Sequence, residues 1–79
     1  MNSFKDIAYQ ILKKEGKPLH YREITALAIK KGLIKTEGKT PWATMNAQLS
    51  MDIVKNGEKS EFIRTDPGFF TLFNFNRAW

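Results

Sequence analysis

The 79-residue chain contains no cysteine and only one histidine, His20. Without cysteine it has no disulfide framework, no zinc–thiolate site and no thiol nucleophile, and one histidine is too few for a multi-histidine metal site. No apolar run approaches the roughly 18 residues of a membrane-spanning helix, and Met1 to Asp6 carry no apolar signal segment. These absences predict a cytoplasmic protein with no metal, no cofactor and no membrane partner.

Catalytic chemistry also lacks an obvious set of residues. The eight carboxylates are scattered along the chain, and three serines would have to share one histidine. We therefore expect no catalytic residues and no enzymatic activity. With 42% hydrophobic and 27% charged residues, the chain reads as globular. Its length predicts a single domain over residues 1–79, expected as the N-terminal part of a longer protein.

Charge gives the first positive indication of function. The net charge is +5, and the excess lies in residues 17–40, where six Lys and Arg face two Glu. A basic patch on a small domain favours a polyanionic partner, nucleic acid first. The bland alternative is that scattered surface lysines only keep the domain in solution.

Cap residues and apolar spacing predict three helices. Ser3 is a suitable N-cap for a first helix over about residues 3–15, ended by Gly16. His20, with Glu23 three residues later, opens a second helix that stops at Gly32. The Thr40-Pro41 pair, a cap hydroxyl followed by proline at the first helical position, starts a third helix that runs to about Lys55.

The third helix has one apolar and one free face. Its core face repeats at spacings of three and four residues, and its members are Trp42, Met45, Leu49 and Ile53. Core packing is therefore favoured over base stacking for Trp42. The opposite face is formed by Ala43, Thr44, Ala47, Gln48, Met51 and Lys55.

A period of two follows the helices and predicts a β-hairpin over residues 61–65 and 69–73, with a turn at Asp66-Pro67-Gly68. Alternation places Phe70 and Leu72 on the core and turns Phe69 and Phe73 outward, under a tail that includes Phe75 and Trp79. Leu33-Ile34 is expected to add a third strand along the hairpin edge. The fold class is α+β, mainly α: a winged helix-turn-helix with three helices followed by a β-hairpin wing.

Several short segments in this order resemble the HARE-HTH family. They are Lys17-Pro18-Leu19, residues 38–41, Asn46-Ala47-Gln48-Leu49, Phe62-x-Arg64, and Pro67-Gly68 with Phe70 and Leu72. The similarity spans about residues 4–73. This winged helix-turn-helix family occurs in additional-sex-combs-like chromatin proteins, bacterial restriction-associated proteins and the RNA polymerase delta subunit. The resemblance implies a DNA-binding or transcription-complex module, with a fused effector domain or RNA polymerase as a further partner.

These observations predict contacts to double-stranded DNA from three places. Lysines and a hydroxyl at the start of the third helix would anchor phosphates, the free helix face would enter the groove, and the wing would touch the flank. The predicted DNA-binding residues are Lys35, Lys39, Thr40, Thr44, Gln48, Lys55, Lys59 and Arg64.

Other interpretations of the same residues stay open. Thr44 and Gln48 could belong to an ordinary solvated helix face, and Arg64 could form an ion pair with Glu61 or Asp66. The second hypothesis for function is a protein-docking module of a transcription or chromatin complex, using the Ala/Met face of the third helix or the Phe69/Phe73 surface. A third hypothesis, a specificity domain of a nuclease-type enzyme, is compatible with DNA binding.

Overall fold

The computed structural model describes residues 3–34 and 40–73. Within them, no helix combines the length and the apolarity that crossing a bilayer requires. The elements in chain order are α1 (Phe4–Glu15), β1 (Leu19–His20), α2 (Tyr21–Lys30), α3 (Pro41–Asn56), a 3-10 turn (Gly57–Lys59), β2 (Phe62–Asp66) and β3 (Phe69–Leu72).

Helix α1 begins and ends where the sequence predicts. The Asp6 backbone N–H donates to Ser3 Oγ at 3.2 Å, and the Ser3 N–H donates to the Asp6 carboxylate at 3.4 Å. This reciprocal capping box satisfies two helix N–H groups that would otherwise lack partners. At the other end Gly16 takes a left-handed conformation, with φ of 68°, which glycine adopts without steric penalty.

Helix α2 is capped by the single histidine, as predicted. Nδ1 of His20 accepts from the Arg22 backbone N–H at 3.1 Å, and the Glu23 carboxylate accepts from the His20 N–H at 3.3 Å. Ile24, Thr25 and Ala28 are buried. The buried Thr25 hydroxyl donates to the carbonyl of Tyr21 at 2.8 Å, so burial leaves this polar group satisfied.

Helix α3 starts at Pro41 as predicted, but the predicted cap hydroxyl is wrong. The side chain of Thr40 makes no capping hydrogen bond, and its backbone φ and ψ of −137° and 68° differ from the usual cap geometry. Its carbonyl instead accepts from the Ala43 N–H at 3.0 Å. Met45 and Leu49 are fully buried, whereas Trp42 and Ile53 at the two ends of the predicted core face are half-buried.

The sheet has three strands in the order β1-β3-β2, both pairs antiparallel. The predicted hairpin is confirmed, and Gly68 in its turn has φ of 81°. The predicted third strand at Leu33-Ile34 is wrong, because the third strand is β1, which pairs Leu19 with Phe70.

The chain around Leu33 has a different role. Gly32 takes φ of 73°, and the Leu33 N–H donates back to the Ala28 carbonyl at 2.8 Å. This closes the C-terminus of α2 in a Schellman-type turn. Ile34 is therefore delivered to the core, 8% exposed, as a cap contact rather than as a strand residue.

The core lies between the three helices and the inner face of the sheet. Phe70 and Leu72 of the central strand are buried, as predicted. Phe69 is half-buried against the imidazole of His20, with ring centroids 5.1 Å apart, so it does not point outward as expected. Phe73 is 36% exposed, whereas the tail with Phe75 and Trp79 lies outside the described residues. Three helices backed by a small sheet and a hairpin form a winged helix-turn-helix.

Candidate nucleic-acid interface

The free face of α3 is the largest surface that the fold presents from one helix. Burial of Met45 and Leu49 fixes the rotation of the helix, so the opposite side chains project into solvent. All the side chains predicted for this face are exposed: Ala43, Thr44, Ala47, Gln48, Met51 and Lys55. The sequence prediction of this face is confirmed, and its polar groups can donate to or accept from a ligand.

The start of α3 leaves a hydroxyl exposed. Thr40 is exposed and its side chain is not engaged in capping, so the Oγ atom remains beside the helix N-terminus, where N–H groups favour anions. Lys35 and Lys39, the two lysines predicted to act with it, lie outside the described residues.

Arg64 is held against α3 from the hairpin. Its Nη2 donates to Ser50 Oγ at 2.8 Å, and its guanidinium carbon lies 5.7 Å from the centroid of the Phe70 ring. Within the described residues it forms no ion pair with Glu61 or Asp66. The wing cation is therefore fixed beside the exposed face of α3, with its remaining N–H donors available to an anion.

The other two predicted cations lie on different sides. Lys55 shares a groove with Gln48 and Met51 on the α1 side of α3. Lys59 lies in the 3-10 turn and lines a separate groove with Tyr9 and Phe73. The structure thus joins Gln48 with Lys55, places Arg64 along the other edge of α3, and puts Lys59 around the end of the helix.

Two further cations belong to this region, and the sequence analysis missed both. Lys5 of α1 lines the groove with Gln48 and Lys55. Arg22 of α2 lies over the ring of Trp42, 5.2 Å from its centroid, a cation–π contact at the start of α3. Neither contact has a local sequence signal, since the partners are far apart in the chain.

Asp52 anchors the groove through three hydrogen bonds. Its carboxylate accepts from Lys5 Nζ at 3.3 Å, from Asn56 Nδ2 at 2.7 Å and from Ser60 Oγ at 2.6 Å. Burial disfavours the charged carboxylate, but the bonds from Ser60 and Lys5, the Lys5 charge and the Asn56 bond outweigh it and hold the pKa of Asp52 below its ordinary value of 3.8. Asp52 thereby joins α1, α3 and the start of the hairpin.

Part of the positive charge of residues 17–40 lies away from α3. Lys31 meets Lys14 at a groove that Leu33 also lines, and contact with the Lys14 ammonium lowers the pKa of Lys31. Lys14 and Lys5 are nine residues apart, which is about 180° around α1, and Lys5 is the residue that faces α3. The charge run is therefore split between two sides of the domain. In the described part of the chain, no cluster of His, Asp and Glu is suited to a metal ion.

Comparison with known proteins gives one match. A family model named HARE-HTH, described as an ASXL and restriction endonuclease HTH domain, matches residues 2–75. No curated protein and no solved structure matches the chain. The matched range covers nearly all of the sequence and includes every one of the eight predicted DNA-binding residues.

Proposed function

Because the chain belongs to the HARE-HTH family of helix-turn-helix domains, we propose that it is a DNA-binding winged-helix module with no enzymatic activity of its own. In this proposal it is the targeting domain of a transcription- or restriction-linked protein. The partner is double-stranded DNA, joined by a fused effector domain or RNA polymerase.

The observation that carries the proposal is the pairing of an exposed helix with a fixed wing cation. Thr44 and Gln48 are exposed along α3, and Arg64 is held beside the same helix by Ser50. A helix face can enter the major groove while a neighbouring cation contacts the backbone. The +5 net charge supports the attraction of such a surface to DNA.

Roles follow from the chemistry of each side chain. Lysines and Thr40 would anchor phosphates, without sequence preference. Gln48 can make two hydrogen bonds to an adenine edge, and Thr44 can donate or accept one. Since α3 carries no arginine, the expected sequence preference is weak and most of the affinity is electrostatic.

The proposal is tested by the salt dependence of duplex binding. Contacts from Lys35, Lys39, Lys59 and Arg64 to four phosphates would give a slope of log affinity on log salt of about −3.6. Raising salt from about 50 to 200 mM should then weaken binding roughly 150-fold. A fluorescence anisotropy titration of labelled duplex measures both quantities.

Variants separate backbone contacts from base contacts. Lys39→Ala should weaken binding to all duplexes alike and make the slope shallower by about one unit. Gln48→Ala should matter only for a preferred sequence. Lys13→Ala is the matched control, since it removes the same charge from the outer side of α1. Absence of binding at tens of micromolar protein in low salt would contradict the proposal for this chain.

A further inference from the structure

The C-terminal half of α3 exposes two neighbouring apolar side chains that the core does not use. Met51 is 66% exposed and Val54 is 85% exposed. With Ser50 and Lys55 they line a shallow groove of about 310 Å³. Adjacent exposed apolar residues on a small domain are typical of a contact surface, and we name these two residues the apolar strip.

A cation flanks the apolar strip on each side. At about 100° per residue, Lys55 lies about 100° to one side of Val54, and Ser50 lies about 40° to the other. Ser50 holds the Arg64 guanidinium at 2.8 Å. The surface therefore runs from cation to apolar strip to cation across α3.

Neither flanking cation is neutralised within the described residues. The ion pair found there joins Lys5 to Asp52, and the Asp52 carboxylate is directed to Lys5, Asn56 and Ser60 rather than to the apolar strip. A ligand that brings two rows of carboxylates and an apolar ridge would match this pattern in both charge and hydrophobicity.

We propose that the apolar strip binds an acidic amphipathic helix of a partner protein. Its apolar side chains would pack on Met51 and Val54, and its flanking carboxylates would pair with Lys55 and Arg64. This is helix-in-groove recognition, in which residues three and four apart in the ligand supply the anchors. The phosphates that line a DNA groove would gain nothing from Val54, whereas an apolar ridge is removed from water there.

Binding of this helix regulates the DNA site. Lys55 and Arg64 are also residues of the proposed DNA interface, so an acidic helix and a duplex would compete for them. This part of the inference rests on the proposed function, whereas the binding of the helix itself does not. Partner availability would then control how much of the domain is bound to DNA.

The test uses the 79-residue chain and a designed probe peptide. The probe is a capped helical peptide of about 18 residues, long enough to form a helix, with leucine on one face and glutamate on both flanks. Titration is followed by ¹⁵N chemical shifts. Shifts confined to residues 50–55 and Arg64 are expected, and shifts spread evenly over the domain would overturn the proposal.

Matched peptides and variants test the two parts of the recognition. A peptide with lysine in place of glutamate should bind at least tenfold more weakly, and equal binding of the two peptides would overturn the charge argument. The Met51→Ser/Val54→Ser variant, exposed positions whose change leaves the fold intact, should bind the probe at least tenfold more weakly and keep its duplex affinity within twofold. Unchanged peptide affinity in this variant would overturn the assignment of the surface.

A competition experiment separates this inference from the proposed function. Addition of the glutamate peptide should release labelled duplex, and the lysine peptide should not. Peptide binding without any DNA binding would contradict the proposed function and leave the docking surface supported. DNA binding that the bound peptide does not reduce would overturn the competition.

Discussion

The imidazole of His20 lies against Gly68: a Cβ atom at Gly68 would be 2.7 Å from His20 Nε2. The same ring caps α2 through Nδ1, and the backbone N–H of Tyr21 donates to the Gly68 carbonyl at 2.9 Å. One side chain thus connects the start of α2 to the turn of the wing, and glycine is required there by space as well as by its φ of 81°.

Gly68→Ala is therefore expected to destabilise the domain and displace the wing. The new methyl group would collide with His20, and the left-handed backbone adds strain for any residue with a Cβ. Chemical denaturation should show a loss of about 1–3 kcal/mol. In the double variant His20→Ala/Gly68→Ala, part of the loss from Gly68→Ala should disappear, because the collision is removed. Strictly additive losses would contradict the contact.

Leu49→Ala should be among the most damaging single changes. Leu49 is fully buried in the middle of α3, and truncation leaves a cavity that costs about 2–5 kcal/mol. Since a domain of this size has little stability in reserve, the variant should be largely unfolded by far-UV circular dichroism. Val54→Ala on the exposed side of the same helix is the control and should change stability by less than about 0.5 kcal/mol.

Asp52 should make the domain sensitive to acid. Its pKa is lower in the folded state than the ordinary 3.8, so its contribution is complete above the unfolded-state pKa and is lost as the pH falls through the lowered native value. Urea midpoints should fall on acidification below about pH 4. Asp52→Asn should lower stability at pH 7 and flatten this acid limb, and Ser60→Ala should flatten it partly. A parental acid limb in Asp52→Asn would contradict the role of this carboxylate.

Ser50→Ala tests whether Arg64 acts in a fixed position. The substitution removes the acceptor of the 2.8 Å hydrogen bond and leaves every charge in place. Duplex affinity should fall severalfold while the salt slope stays the same, because the number of phosphate contacts is unchanged. Arg64→Gln should instead make the slope shallower by about 0.9. Identical effects of the two variants on the slope would contradict a positioning role for Ser50.

Local sequence signals were enough to predict the helices and the hairpin. The caps at Ser3 and His20, the proline at position 41 and the turn glycine at position 68 each act through neighbours within a few residues. Pairing of strands distant in sequence has no such signal, and the third strand was therefore assigned to Leu33-Ile34 in place of β1. Pro18 and the cap position of His20 both favour extended backbone, which in hindsight marks the correct segment.

The candidate site was predicted only in its parts. Helical spacing correctly identified the exposed face of α3, including Thr44 and Gln48. The arrangement of cations around it depends on contacts between remote residues, such as Lys5 with Asp52, 47 residues apart, and Arg64 with Ser50, 14 residues apart. These pairings depend on tertiary packing, so neither spacing nor composition could reveal them.

The order of strands in the sheet has a consequence for biosynthesis. The central strand β3 comes last of the three in the chain, and it carries Phe70 and Leu72 into the core. A nascent chain that ends before Phe69 has both outer strands but nothing for them to pair with, and the helices would leave apolar surface uncovered. Folding on the ribosome should therefore occur in one late step, after Leu72 has emerged, and chaperones would meet the helices before that step.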